Sequence, residues 1–419
     1  MGTHRNDSGR CLAVLAVLVL TGPAHAAWIV TEVPMQPGWA GSVECTDINS
    51  SGVVSGYAEN AAGNKIAFRF DGTSVTELPQ LSAISPSSLP WGINAQGVVC
   101  GNSYRDDGKE RAVYWVGTTL YTVPYAPDAN TSSYCWATDI NDSGVIVGFY
   151  WRAISETENE RIAYYYKDGT TYSLDAPLRA LGLTDTQIAS SVNNNNVICG
   201  SAHDAGGVTT AYTYDIGTGV ATLIGRIGLA DCTATDINKH GQTLGRGKYY
   251  SFDTYFRAVT YDGTWQFVDD AEPASQRVGG INDRGRFVVY SGGLDTRTSW
   301  YSDAPGSDSR VYITASGWTT LNVQEINNWD WITGYGRTPT SGTDERGFII
   351  KPPPGDGDHD GDVDLADYVE FSDCASGPGE GAGFISPSGT CLRAFDFASS
   401  DGDVDLADFA AFQRIFAGG

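Results

Sequence analysis

A motif of about ten residues recurs seven times along the chain and restricts its fold more than any other feature. The copies read DINSSGVVSG (47–56), GINAQGVVCG (92–101), DINDSGVIVG (139–148), SVNNNNVICG (191–200), DINKHGQTLG (236–245), GINDRGRFVV (280–289) and EINNWDWITG (325–334). The apolar residue before the Asn falls at 48, 93, 140, 192, 237, 281 and 326, in steps of 45, 47, 52, 45, 44 and 45. A period this long and this constant marks one supersecondary unit that buries its faces only against copies of itself.

Each unit has one grammar. Asn-x-x-Gly reads as a hairpin turn, with Asn tolerating the turn and Gly supplying positive φ. A β-branched run follows as a strand. A second strand carries a small residue and then aromatics: AFRF (67–70), AVYW (112–115), AYYY (163–166), AYTY (211–214), AVTY (258–261), VYIT (311–314) and GFII (347–350). Next comes a short strand such as SVTELP, LYTVPY, TYSLDA, VATLIG, TWQFVD or WTTLNV. Twenty-two Tyr, eleven Trp and fifty-one Gly suit short strands and many turns. About four strands per unit is the content of one propeller blade, so the body is read as a seven-bladed β-propeller over 27–351. The seventh unit stops at GFIIKPPPG without its last strand, and WIVTEVP (28–34) supplies one. That closure would remove exposed sheet edges.

Three units depart from the pattern. Asn196 and Asp330 stand at the turn Gly, and Val289 at the closing Gly. Residues 299–309 read as an insertion in unit six.

The C-terminus carries a second repeat. Residues 360–371 read DGDVDLADYVEF and residues 401–412 read DGDVDLADFAAF. Calcium takes six to eight oxygen ligands, and a twelve-position loop supplies them in a fixed order. Asp356, Asp358 and Asp360 fit positions 1, 3 and 5. Gly361 fits the sharp turn, Asp362 offers its carbonyl, Asp364 acts through water and Asp367 closes the loop. Val363 is expected to bury against its counterpart, with a helix running through Tyr368 and Phe371. The second loop, with Asp396, Asp401, Asp403, Asp405 and Asp408, is degenerate, because Phe397 falls where the first ligand belongs. Pro352–Gly355 reads as a stiff linker.

Charge and leader set the setting. Net charge is −24, which disfavours nucleic acid as a partner. Arg5 and Arg10 precede the apolar run Cys11–Leu20, followed by Ala24-His25-Ala26. This reads as a signal peptide over 1–26 cleaved near Ala26, and the product as secreted or surface-held. No later apolar run is long enough to span a bilayer. Cys374 and Cys391 bracket a Gly/Pro/Ser loop and are a candidate disulfide. Cys45, Cys100, Cys135, Cys199 and Cys232 lie in strand-like segments and read as buried thiols.

Catalytic chemistry is sparse. After the leader only His203, His240 and His359 remain, and no nucleophile elbow, zinc motif or phosphate loop occurs. Asp47, Asp139 and Asp236 precede Ile in three units. Paired across a channel they would suit glycosidic cleavage. As repeated residues they are read instead as accepting hydrogen bonds from turn amides within each repeat. Trp329 and Trp331 break the symmetry; sugar stacking is one reading and packing between blades the favoured one.

The Ile-Asn-x-x-Gly-x-Val-x-Gly core and the Ala-aromatic-x-aromatic strand resemble the HAF family of extracellular repeats over about 28–351. The family's usual His is absent, and Arg111 and Arg257 stand near its place in two units. The Asp-x-Asp-x-Asp-Gly-x-Val-x-x-x-Asp spacing resembles a type I dockerin over about 355–417. That resemblance implies a small α-helical calcium-loop domain, taken as 356–419, that docks to a cohesin-like partner. It places the partner contacts at Leu365, Ala366, Leu406 and Ala407, where the family's frequent Ser-Thr is missing. The reading that results is a secreted, non-catalytic binding or scaffold propeller held by a calcium-loaded module. Carbohydrate is a candidate ligand. The alternatives are a polysaccharide-degrading hydrolase or lyase, and a structural surface spacer.

Overall fold

The computed structural model describes residues 28–129, 134–155, 158–226, 230–248, 250, 256–268, 276–292, 298–302, 311–313, 315–353, 355–356, 363, 367–368, 371, 395, 404 and 406–416. They fall into two compact units, one within Ala27–Pro352 and one within Pro353–Gly419.

The first unit is a ring of seven four-stranded antiparallel sheets. Each of the first six blades is built from consecutive strands. In blade 1 these are Trp39–Ile48, Val54–Asn60, Lys65–Phe70 and Val75–Glu77, from the channel outward. Blade 7 takes Thr320–Ile326, Ile332–Arg337 and Arg346–Lys351 from the end of the ring and Ile29–Glu32 from its start. Ile29 pairs with Lys351 and Glu32 with Phe348, so the expected closure forms. Trp28 then packs edge-on against Tyr301 of blade 6, with ring centroids 5.6 Å apart.

The core lies between the blades, not inside any one of them. Val113 and Trp115 of blade 2 pack with Ala67 and Leu78 of blade 1. At the seam, Ile349 of blade 7 packs with Val54 and Phe68 of blade 1. Similar clusters fill the other junctions. A strand face buried against a neighbour needs apolar residues on both sides, which is why small and aromatic residues alternate in the third strands. The longest repeat step holds a short helix, Asp175–Ala180, whose Leu178 is buried between blades 3 and 4.

The repeated Asn does more than shape a turn. Asn193 Oδ1 accepts the amides of Asn195 (3.0 Å) and Val197 (2.9 Å), while its Nδ2 donates to the carbonyl of Asn238 in the next blade (2.9 Å). The same cross-blade bond runs from Asn49 to Asn94, then to Asn141, Asn193, Asn238, Asn282 and Asn327. Asn327 donates back to the carbonyl of Asn49 at 3.0 Å and closes the circle. An amide side chain can cap its own turn through its oxygen and donate to a neighbour through its nitrogen at the same time.

The departures from the repeat are compensated locally. Asn196 and Asp330 keep the left-handed backbone of the missing turn Gly, with φ of 61° and 57°. Asn196 Oδ1 accepts from Asn141 Nδ2 (3.0 Å), and Asp330 Oδ1 accepts from Asn282 Nδ2 (2.7 Å). The closing Gly faces a β-bulge in the innermost strand. In blade 3 the register slips between Ala137 and Asp139, and a methyl group at Gly148 would run into the Trp136 carbonyl. Blade 6, with Val289 there, places its irregularity at Gly279-Gly280.

Blade 6 also corrects the sequence reading. Its third strand is Thr298–Ser302, and Val311–Ile313 is the outermost. The segment read as its last strand, WTTLNV, belongs mainly to the innermost strand of blade 7. SWY carries the same small-then-aromatic pattern as VYIT, and Trp300 and Tyr301 are the ones buried. The added residues therefore lie between the third and fourth strands. Residues 303–310 are outside the described residues.

In the second unit, equivalent residues of the two DGDVDLAD copies meet. Phe371 lies 5.3 Å from Phe412 and Tyr368 lies 6.2 Å from Phe409, centroid to centroid. Phe395 joins the cluster against Phe371 at 5.2 Å. Val363 and Val404 are both buried, and a helix runs over Leu406–Phe416.

Candidate functional site

The β-bulge before each Ile-Asn pair aims one residue per blade at the channel. Around the ring these are Asp47, Gly92, Asp139, Ser191, Asp236, Gly280 and Glu325. Carboxylates alternate with small residues, and the small ones make room. A methyl group at Gly92 would press on Asp139, and one at Gly280 would overlap the Glu325 carboxylate.

The carboxylates bind amides across the blade junctions. Asp47 accepts from Ile48 and Ile93, both at 2.6 Å. Asp139 accepts from Ile140 (2.6 Å) and Val192 (2.8 Å). Asp236 accepts from Ile237 (2.8 Å) and Ile281 (2.7 Å). Glu325 accepts from Ile326 at 3.0 Å through Oε1. The in-repeat role expected for Asp47, Asp139 and Asp236 is thus half of the arrangement, because each also ties its blade to the next. Ser191 Oγ lies 2.8 Å from both Asp139 and Asp236. One hydroxyl proton cannot serve two carboxylates, so that contact favours a proton on one of them.

Seven blades cannot complete an alternation, and two acids meet at the seam. Burial, with Asp139 close by, pushes Asp47 up to about 8. Burial raises Asp139 to about 6 and raises Asp236 as well. Burial, with Asp236 and Asp47 near, holds Glu325 well above the usual carboxylate range. These are like charges gathered in a narrow space, where neutral forms are favoured.

The layer opens into a cavity of about 280 Å³. Trp91 lines it and is 36% exposed. The matching residues elsewhere are Thr46, Thr138, Ser190, Thr235, Gly279 and Gln324. Trp91 is the functional candidate that sequence reasoning missed. The two tryptophans it singled out pack between blades instead: Trp329 Nε1 donates to the Ser50 carbonyl at 2.9 Å, and Trp331 joins the blade 1 cluster with Lys351 above its ring at 3.8 Å.

Other expected residues take structural places. Arg111 is buried over Tyr125 at 3.5 Å and donates to the Val123 carbonyl. Arg257 lies 5.6 Å from the Phe267 ring. His203 pairs with Asp185 at 2.9 Å. The five cysteines of the ring are buried thiols, none of them in a disulfide. In the second unit Asp356, Asp367 and Asp408 are 2%, 0% and 0% exposed. Asp358, Asp360, Asp362, Asp364, Asp396, Asp401, Asp403, Asp405, Cys374, Cys391, Leu365 and Ala366 lie outside the described residues, as does His359. Leu406 and Ala407 open the last helix. Among the described residues no group of three or more His, Cys, Asp or Glu is arranged to hold a metal, and no helix is long and apolar enough to cross a membrane.

This geometry defines a closed seven-bladed β-propeller with an acidic channel. Residues 105–259 match a family described as "Protein of unknown function (DUF3466)". No curated protein matches the chain. Among solved structures, 76% of it aligns with 53% of a puromycin hydrolase S511A mutant complexed with PGG, at 14% identity and a TM-score of 0.50. Pyrococcus horikoshii acylaminoacyl peptidase matches at 11% identity and 0.48, over 73% of this chain and 52% of that one. The β-propeller domain of the Trilobed protease from Pyrococcus furiosus matches at 11% and 0.47, over 74% and 93%. The chain spans about half the length of the hydrolase and peptidase chains it matches. At these identities the likeness concerns the fold alone.

Proposed function

We propose that this is an exported, non-catalytic binding protein. Its propeller engages a ligand, and residues 356–419 form a calcium-loaded, dockerin-like module that holds it to a partner protein or surface. The observation that carries the reading is the use of the channel carboxylates. They repeat around the ring and accept backbone amides, whereas hydrolysis needs two carboxyl groups that differ in role and face a substrate. The resemblance of the repeats to HAF-type extracellular proteins and the leader at 1–26 support export.

The calcium reading draws on the second unit. Asp356 and Asp367, at loop positions 1 and 12, and Asp408, at the matching place in the second copy, are buried beside an aromatic cluster. A hard divalent cation fits an all-oxygen donor set in this order. Asp358, Asp360, Asp362 and Asp364 would complete the first site. The second site would be weaker, with Phe397 at its first position.

Calorimetry of the full mature chain tests this. A chelator is expected to lower one transition by about 5–10 °C, as removal of a ligand held well above its dissociation constant does. Tryptophan emission is expected to stay unchanged through that transition, because all eleven Trp lie between residues 28 and 331. Calcium-dependent capture of one surface protein from the producing cell would support docking. A melt identical with and without calcium sinks the module reading.

A further inference from the structure

The channel leaves an unbalanced set of groups. The Nδ2 of each of the seven repeated Asn is committed to the next blade. The seven amides at 48, 93, 140, 192, 237, 281 and 326 all donate to the carboxylate layer. Four carboxylates bring eight oxygens to seven amides. The oxygen left over is Glu325 Oε2, at the seam where alternation fails. The cavity is therefore lined mainly by acids and rich in acceptors; burial keeps part of the layer protonated, a cation entering it would draw those protons off, and Lys239 on its wall is paired with Asp283. An anion is repelled there, and a neutral sugar would find acceptors but few donors for its own oxygens.

Trp91 adds an independent preference. It lies on the bulge of blade 2, next to Gly92 and between the blades that carry Asp47 and Asp139. Among the described residues no hydrogen bond or ring contact engages its indole. An unengaged aromatic face beside carboxylates suits a cation with an apolar body. A cavity of about 280 Å³ admits a small amine or one side chain, not a polymer.

We propose that the channel binds an organic ammonium ion, with its carbon body on Trp91 and its N–H groups toward the carboxylate layer that ends at Glu325. This rests on the reading of the ring as a binding module and names its ligand class. The test titrates the full mature chain, saturated with calcium, with putrescine and n-butylammonium. n-Butanol and methyl glucoside serve as neutral probes. Saturable one-to-one binding of the amines is expected, with the neutral probes silent. Trp91→Thr places in blade 2 the residue found in blades 1, 3 and 5, so the ring is retained; affinity is expected to fall roughly tenfold. Glu325→Gln is expected to weaken binding severalfold without lowering the tryptophan-monitored melt.

Amine uptake that never saturates, or that both variants leave unchanged, overturns the proposal, because it would report surface acids. Methyl glucoside binding lost in Trp91→Thr overturns the cation class and leaves the binding module standing. Silence from every probe overturns the ammonium site, while capture of a partner from surface extract still decides the wider reading.

Discussion

Replacing Asn193 by leucine is expected to lower the melting temperature of the ring by roughly 5–10 °C. The side chain is buried and serves three groups at once. Its Oδ1 caps the amides of Asn195 and Val197, and its Nδ2 reaches the Asn238 carbonyl. Leucine leaves both amides without their acceptor, at about 1–3 kcal/mol for each buried group that stays unsatisfied. The Asn238 carbonyl keeps its bond from the Gly241 amide, so its loss is smaller. Asn193→Asp separates the two roles. It retains the cap, removes the donor and turns a carboxylate oxygen toward a carbonyl. A loss of roughly 2–4 kcal/mol is expected for it. Asn195→Ala, on the exposed side of the same turn, is expected to cost under about 1 kcal/mol. Tryptophan emission follows all three variants. Leucine and aspartate variants that melt within 2 °C of the parent would show that the circle of amides does not hold the blades.

That circle marks the limit of what the sequence discloses. The spacing of the Ile-Asn pairs predicts the number of blades, because period is a property of the chain. The closing strand is legible for the same reason: a unit one strand short and a spare strand at the other end. The turn Gly positions follow from local backbone preference, and even Asn196 and Asp330 keep positive φ there. Partners across a junction are not legible. The pattern marks Asn as a turn residue, but its donor points to an atom about 45 residues away. The repeat pattern assigns Asp47 to its own turn, yet its second oxygen serves Ile93. Blade 6 was misread because two segments carry the same small-then-aromatic pattern and only burial separates them. Trp91 was missed because the bulge that turns it inward is a register property. Aligning the residue two before each Asn-preceding Ile, where Thr, Ser, Gly and Gln otherwise stand, would have exposed it.

Glu325→Gln is expected to stabilise the ring at pH 8, by roughly 3–6 °C. Its carboxyl is the fourth acid of a layer whose members are all raised above their ordinary values. A group raised in the folded state binds its proton there and releases it on unfolding. Its stabilising effect is complete below the unfolded value of about 4 and is lost as pH rises through the folded value. For Asp139, near 6, that is about 3 kcal/mol at most. Asp47, near 8, extends the window upward. The ring is therefore expected to lose about 10 °C of melting temperature between pH 5 and pH 9, opposite to the usual behaviour of ion-paired carboxylates. Most of this slope comes from groups that face one another across the channel, Asp47, Asp139, Asp236 and Glu325, with Asp283 acting on Asp236; Glu44 and Glu110, raised by burial elsewhere in the ring, add to it. Lys239 lines the same cavity and pairs with Asp283 at 3.7 Å. Glutamine keeps an oxygen for the Ile326 amide and removes the charge that seven blades cannot place. It should flatten the slope from about pH 5 upward and leave stability below about pH 4 unchanged. A ring that grows more stable from pH 5 to pH 9, or a variant whose curve overlays the parent at pH 8, would mean that the layer stays ionised and is neutralised by other groups.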